Sequence, residues 1–212
     1  AVIASYVENF CTATDKIAAH FHEWMTAAGG LYLRRHAPYV ATLFTTHATV
    51  MGRCIAGNHL PLYTDLTKFN ADELARQFNV VAKHSIEKAA AAYHDAFVTV
   101  SDITANECKF LLGREPDCIT PNGFENDFVW TGEEYDAKRA EARKTMISVA
   151  EACLGEKFAE EPLIVGTSGR YEFRNKGIDV FIESLKKLAA SPRLKRQVLA
   201  YITVPAANRG PR

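Results

Sequence analysis

Apolar and polar positions alternate along the chain in blocks that predict strands and helices in turn. Short apolar runs typical of buried strands occupy 15–21, 41–44, 96–100, 118–120, 162–166 and 197–204. Helical periodicity marks 1–13, a segment ending near 35, and 71–93, 101–112, 133–154 and 178–188. Strands and helices joined by short connections predict an α/β fold with parallel sheets.

Two segments bear on domain organisation. The polar stretch 57–70 is long for a βα connection and is predicted to be a functional flap or a disordered loop. A new strand-helix-strand unit begins after the charged helix, near residue 160. We therefore interpret 1–160 as the carboxyl-terminal half of one doubly wound, Rossmann-like domain and 161–212 as the start of a second. The abrupt beginning and end suggest a piece of a longer protein.

Composition and charge exclude several classes of function. Lys plus Arg number 25 and Asp plus Glu number 25, so no bulk charge attracts nucleic acid or a membrane surface. The five cysteines lack CxxC spacing, which argues against a zinc site and a disulfide framework and favours a reducing cytoplasm. The apolar runs are too short to span a bilayer.

The most informative polar residues follow the second predicted strand. The apolar run 39–44 ends at Thr45-Thr46-His47, which places His47 at the carboxyl edge of a sheet, where α/β folds bind ligands. Arg53 follows one short loop later. In the alternative interpretation, Thr45 and Thr46 cap the next helix and His47 bonds to the backbone.

Arg170 and Lys176 form a second candidate site, in the loop between a predicted strand and a predicted helix. Free backbone N–H groups and the helix dipole at such a position favour an anion. Arginine grips phosphate bidentately and lysine adds a point charge. With Arg53 as a third cation, the set suits a diphosphate; the alternative is a solvated basic loop.

His20, His22 and Glu23 resemble metal ligands only superficially. On a strand the two histidines share one face, but no further ligands follow at suitable spacing, so we expect no metal. Elsewhere, His84 and Glu87 are spaced to pair on one helix. Asn122, in Pro-Asn-Gly, is a turn residue that could also line a cleft.

Several ordered motifs together resemble the glycogen synthases of the animal and fungal type. They are HFHEW at 20–24, FTTHATVMGR at 44–53, VSDITA at 100–105, TPNG at 120–123, GRYEFRNKG at 169–177 and VPAAN at 204–208. The resemblance implies a GT-B enzyme with two Rossmann-like domains and a nucleotide sugar between them. It implies transfer of glucose from UDP-glucose to the non-reducing-end 4-hydroxyl of an α-1,4-glucan, with retention and with no metal or other cofactor.

The resemblance also assigns roles to individual residues. It implies that His47 contacts the donor glucose near the reacting centre and that Arg53, Arg170 and Lys176 hold the diphosphate. Glu23 is implied as a neighbour of the donor pocket.

The resemblance also implies that Asn122 binds substrate, although the motif that contains it, Pro-Asn-Gly, is less specific than the others. The family's Gly-rich donor loop and its distal carboxylate pair are not found in this sequence, so the 212-residue chain alone is expected to be inactive.

The complete protein is expected in the cytoplasm, as a homo-oligomer. The sequence does not distinguish a UDP-linked from an ADP-linked sugar donor. A noncatalytic module that binds nucleotide sugar or glucan, and a GT-B transferase with another substrate, remain alternatives.

Overall fold

The computed structural model describes residues 1–207 and residue 210, and it divides the chain into two compact units, Ala1–Gly123 and Phe124–Arg212. The division falls ahead of the predicted boundary near 160 because the long charged helix packs with the later strands. The hydroxyl of Tyr201, for example, donates a hydrogen bond to the Met146 carbonyl. The assignment of two Rossmann-like domains stays a prediction.

The first unit is a parallel sheet with helices on its connections. Its elements are α1 (Val2–Phe10), β1 (Ala18–His22), α2 (Glu23–His36), β2 (Ala41–Thr46), α3 (Val50–Gly57), α4 (Ala71–Gln77), α5 (Val81–Tyr93), β3 (Ala96–Thr99), α6 (Asp102–Glu107) and β4 (Cys118–Ile119). The strands pair in the order β1-β2-β3-β4, and each pair is parallel. A π-helical turn, Cys108–Leu112, continues α6. The predicted α/β class with parallel sheets is confirmed.

Strand register aligns the carboxyl ends that carry the candidate residues. His22 of β1 pairs with Thr45 of β2, and Thr46 pairs with Thr99 of β3. Because the strands are parallel, the segments that leave β1, β2 and β3 emerge at one edge of the sheet.

Apolar packing holds the first unit together in two clusters. One cluster surrounds Phe44 and Phe97 and joins the sheet to α2 and α5. The other joins Met51 and Ile55 of α3 to a segment that includes Leu66. Leu66 lies in a 3₁₀ turn, Leu66–Lys68, and is buried. The polar stretch 57–70 is therefore anchored by buried leucines and is not a disordered loop.

The single helix predicted over 71–93 is wrong, because the structure breaks it into α4 and α5. Asn79 has φ of +55° in the connection, a conformation that asparagine tolerates better than most residues. The Val80 N–H donates to the Ala75 carbonyl at 2.9 Å, which closes the turn. This break lets α4 and α5 pack against each other and against α3.

The second unit contains a two-stranded parallel sheet. Its elements are α7 (Gly132–Leu154), β5 (Leu163–Ser168), α8 (Ile178–Ala189) and β6 (Val198–Thr203). Val165 of β5 pairs with Ala200 of β6. Among the residues that the structure describes, no helix combines the length and apolar character needed to cross a membrane.

We predict that Gly30→Ala destabilises the protein by about 2 kcal/mol, a typical cost of overpacking. A Cβ at residue 30 would lie 1.8 Å from His94 Nε2. The His94 ring is buried and cannot move freely, because its Nδ1 lies 2.9 Å from the Ala90 carbonyl oxygen. Urea unfolding followed by circular dichroism measures the effect.

The matched control is Gly29→Ala on the same helix, where the new Cβ meets only the edge of Phe21, at 3.1 Å. We expect a change below about 1 kcal/mol there, since alanine also favours the helix. Equal effects of the two substitutions would contradict the proposed steric cause.

Candidate functional site

His47 leaves the carboxyl edge of the first sheet directly after β2. Its Nε2 lies 3.1 Å from Nδ1 of His22, at the end of β1. Its backbone N–H donates to Oε1 of Glu23 at 3.1 Å. Glu23 itself has φ of +63°, an uncommon backbone conformation for a non-glycine residue. The structure thus brings Glu23 and His47 together, with the backbone of His47 held by Glu23 and its ring in contact with His22.

A row of imidazole rings lies along this edge. The His20 and His22 rings lie side by side at a tilt of 35°, with centroids 4.0 Å apart, as expected for two residues on one strand face. His20 Nε2 lies 2.8 Å from Thr45 Oγ1. Burial lowers the pKa of His20, and the neighbouring His22 and His47 lower it further, which favours a neutral ring. Within the described ranges, no group of three or more His, Cys, Asp and Glu side chains is arranged to hold a metal ion.

The helix after this turn is capped by Thr49, and not by Thr45 or Thr46 as one interpretation of the sequence supposed. Thr49 Oγ1 accepts a hydrogen bond from the Gly52 N–H at 2.9 Å. Arg53 lies in the first turn of α3, half-buried, and its N–H donates to the Thr49 carbonyl at 3.1 Å. The cap therefore sets the start of the helix that carries Arg53.

Two buried glutamates lie beneath the same turn, and sequence reasoning did not assign them to the site. Glu87 of α5 is 0% exposed and Glu107 of α6 is 6% exposed. Glu87 accepts hydrogen bonds from the Thr46 hydroxyl and the Val50 N–H, each at 2.9 Å. Burial nevertheless raises the pKa of Glu87 to about 7.

The pairing of His84 with Glu87 that their spacing allowed is not formed. His84 Nε2 instead lies 3.0 Å from Oδ1 of Asp72, which belongs to α4. The usable signal in the sequence was the acidic side chain at 87 beside the apolar residues 86 and 89–92 of one helix. An acidic residue on a buried helix face requires a hydrogen-bond partner from another element.

Asn122 lies three residues beyond the end of β4, in an exposed segment. Ile119 pairs with Thr99, so this segment leaves the sheet at the same edge as His47. Asn122 is exposed at this position. The role of Asn122 stays a prediction.

Arg170 and Lys176 occupy one loop of the second unit, between β5 and α8, and both are exposed. Arg170 Nε lies 3.0 Å from Glu172 Oε1. The stem of Lys176 packs beside Gly169, since a Cβ there would lie 3.6 Å from the lysine Cδ. The loop also carries the exposed Arg174, so it presents three cationic side chains, and Arg170 and Arg174 each face a carboxylate.

The sequence predicted free backbone N–H groups at the start of α8, and for two of these groups the prediction is wrong. The N–H groups of Ile178 and Asp179 both donate to the Phe173 carbonyl, at 2.9 and 3.4 Å. The Asp179 carboxylate lies 3.4 Å from Arg174. An anion in this loop would depend on the side chains of Arg170 and Lys176 more than on these amides.

The predicted site residues thus fall into two groups. The first unit brings His47, Glu23 and Arg53 to one sheet edge, and the second unit brings Arg170 and Lys176 into one loop. Asn208, the last residue of the motif at 204–208, lies outside the described residues.

We predict that Glu87 makes stability fall as pH rises between about 4.5 and 7. Its pKa is about 7 in the folded protein against 4.5 for an ordinary glutamate, so folding takes up a proton in this range. The contribution is fully present below pH 4.5 and is lost as pH rises through 7. A shift of this size corresponds to roughly 3 kcal/mol.

Glu87→Gln removes this titration. Urea unfolding between pH 4 and 8 should show the unsubstituted protein losing stability relative to the variant as pH rises. Parallel stability curves for the two proteins would contradict the assignment to Glu87.

Comparison with known proteins gives a consistent result over nearly the whole chain. A family model described as glycogen synthase matches residues 1–210. The chain is 36% identical over 201 residues to a glycogen [starch] synthase of Dictyostelium discoideum, covering 92% of this chain and 23% of that protein. It is 36% identical over 200 residues to glycogen [starch] synthase isoform 2 of Saccharomyces cerevisiae, covering 91% and 28%.

A human relative agrees with these two. The chain is 33% identical over 199 residues to the liver glycogen [starch] synthase of Homo sapiens, covering 90% of this chain and 28% of that protein. The chain therefore spans about a quarter of the length of the relatives it matches. Since the family model covers all but the last two residues, the chain belongs to the glycogen synthase family.

Proposed function

We propose that the protein acts as a retaining glycosyltransferase of GT-B architecture. It transfers glucose from UDP-glucose to the non-reducing-end 4-hydroxyl of an α-1,4-glucan. The relatives named above are all glycogen [starch] synthases. The observation that carries the proposal is the contact of His47 with Glu23 at the carboxyl edge of a parallel sheet, where ligands bind in α/β folds, with Arg53 in the first turn of the helix that follows.

Cationic side chains supply the electrostatic part of the proposed mechanism. When the bond between the glucosyl C1 and oxygen breaks, negative charge gathers on the departing UDP phosphate. Arg53, Arg170 and Lys176 bind this diphosphate and stabilise the developing charge without solvent reorganisation. Arg170 suits the role because its guanidinium has donors beyond the one that faces Glu172.

His47 acts on the sugar side of the same bond in this proposal. Its backbone is tied to Glu23 and its Nε2 to His22, so the direction of the ring is fixed before the donor binds. A ring held in this way contacts the donor glucose beside the reacting carbon without an entropic cost on binding. His47 therefore positions the glucosyl group while the cations hold the leaving group.

We predict that the full-length protein incorporates labelled glucose from UDP-glucose into glycogen and that His47→Ala lowers kcat about 100-fold or more, a typical loss for a positioned catalytic group. The control is His36→Ala, which removes an exposed histidine at the far end of α2. Transfer undiminished in His47→Ala would remove this residue from the mechanism. Nucleotide-sugar binding without any transfer would favour a noncatalytic module.

We predict that Arg170→Ala weakens UDP binding about 10- to 100-fold, as expected for a lost charge-assisted hydrogen bond. Isothermal titration calorimetry with the full-length protein measures the change. Arg193→Ala is the control, because this exposed arginine precedes β6 and lies at the opposite edge of the second sheet. Unchanged affinity in Arg170→Ala would remove this side chain from the phosphate site.

A further inference from the structure

Glu87 and Glu107 are buried carboxylates for which the proposed mechanism has so far given no role. They come from different helices, α5 and α6, and both lie under the connection between β2 and α3. Among the described residues, neither forms an ion pair with Lys, Arg or His. Burying a carboxylate without a cationic partner costs several kcal/mol. The hydrogen-bond partners of the two carboxylates therefore indicate which part of the structure they hold in place.

Three of their four hydrogen bonds end on the chain segment 46–50. Glu87 accepts from the Thr46 hydroxyl through Oε1 and from the Val50 N–H through Oε2. Glu107 Oε2 accepts from the Thr49 hydroxyl at 2.7 Å. The fourth bond runs to Glu107 Oε1 from the Tyr63 hydroxyl, at 3.1 Å.

These bonds fix the chain on both sides of His47. Thr46 is the residue before it, and Val50 opens the helix that follows. Thr49 caps that helix, and the N–H of Arg53 donates to the Thr49 carbonyl. A displacement of the carboxylates would therefore move both His47 and Arg53.

Gly52 shows how closely Glu107 approaches the helix. A Cβ at this position would lie 2.2 Å from Glu107 Oε2 and 2.6 Å from Thr49 Oγ1. No side chain fits there unless the carboxylate moves, and glycine costs stability in a helix interior. The sequence thus accepts a helix-weakening residue in order to admit the carboxylate.

We propose that Glu87 and Glu107 are positioning residues for the donor site, which hold the turn between β2 and α3 so that His47 and Arg53 meet the nucleotide sugar in a fixed geometry. The inference rests on the proposed function and adds two residues to it. Neither carboxylate touches the substrate. Both act through Thr46, Thr49 and Val50, and misplacement of such a turn by about 1 Å can lower a rate about 100-fold.

The hydrogen bonds of these carboxylates contribute to stability as well as to geometry, because Thr46 and Thr49 are fully buried and need acceptors inside the protein. The rest of the environment is apolar, since Met51, Ile55 and Leu111 form a cluster next to the same helix. A positioning role is distinguished from a stability role by its effect on kcat and on the exchange of the turn, so both are measured beside the melting temperature.

The test compares Glu87→Met with Glu87→Gln in the full-length protein. Methionine has similar length but leaves the Val50 N–H and the Thr46 hydroxyl without their acceptor. Glutamine keeps one acceptor for Val50 and can donate to Thr46, whose hydroxyl also lies 3.4 Å from the Ala48 carbonyl. We expect kcat to fall about 10- to 100-fold in the Met variant and to be restored in the Gln variant.

Ile86→Ala is the matched control. It lies next to Glu87 on α5, but its aliphatic side chain packs against the core cluster of the sheet and cannot form a hydrogen bond to the turn. It should lower the melting temperature while leaving kcat close to that of the unsubstituted protein. If Glu87→Met keeps its kcat, or if Ile86→Ala loses as much kcat at equal loss of melting temperature, the proposal is overturned.

Amide hydrogen exchange of the same full-length variants gives a readout that does not need activity. Residues 45–53 should exchange faster in Glu87→Met than in Ile86→Ala, and unchanged exchange in this segment overturns the proposal. If the unsubstituted protein transfers no glucose, the proposed function fails, whereas hydrogen exchange still decides whether Glu87 holds the turn.

If Glu87→Met does not fold, Gly52→Ala provides a second test of the same proposal. It pushes Glu107 away from Thr49 and keeps both carboxylates in the protein. We expect a fall in kcat of about 10-fold or more and faster exchange in residues 45–53. A folded Gly52→Ala variant with unchanged kcat and exchange would count against Glu107 as a positioning residue.

Discussion

Buried polar groups at the carboxyl edge of the first sheet must find hydrogen-bond partners inside the protein, and most of the candidate site depends on this requirement. Thr46 and Thr49 are fully buried, so water does not satisfy them. Glu87 and Glu107 are the acceptors that do. A carboxylate accepts strong hydrogen bonds at both oxygens, so two side chains are enough to fix one turn. His47 therefore leaves the sheet in one direction.

Burying these carboxylates lowers the free energy of unfolding but fixes the position of the turn. Burial raises the pKa of Glu87 to about 7, so the native protein gives up part of its folding free energy to keep this group in place. Apolar packing by Met51 and Ile55 offsets the cost on the neighbouring face of α3. Local conflicts of this kind, an acidic side chain in an apolar environment and a glycine in a helix, are expected at functional sites. They separate the turn at 46–52 from an ordinary βα connection.

The sequence was sufficient for the local features and insufficient for the contacts between distant segments. Apolar runs bounded by polar residues located the strands, and the end of the run at Phe44 placed His47 at the sheet edge correctly. The acceptors of the turn were missed because Thr46 and Glu87 are 41 residues apart, and periodicity carries no information about such pairs. The alternative interpretation, with the helix cap at Thr45 and Thr46, was wrong, because several nearby threonines have the same capping chemistry and only Thr49 has the backbone position for it. The helix break at Asn79 was missed because it accompanies the packing of α4 against α5, which helix propensity does not record.

Acidic residues orient the predicted substrate-binding groups in both units, but to different degrees. In the second unit, Arg170 pairs with Glu172 in an exposed loop, and an exposed ion pair is worth at most about 1 kcal/mol. Such a pair directs the guanidinium yet yields readily when a phosphate offers a bidentate contact. In the first unit, Glu23 holds the backbone of His47, and the carboxylate of Glu87 below it is buried and cannot exchange partners with solvent. A rigid turn suits a group that must meet one carbon atom, whereas a weakly held arginine suits a leaving group that has to enter and depart in every catalytic cycle.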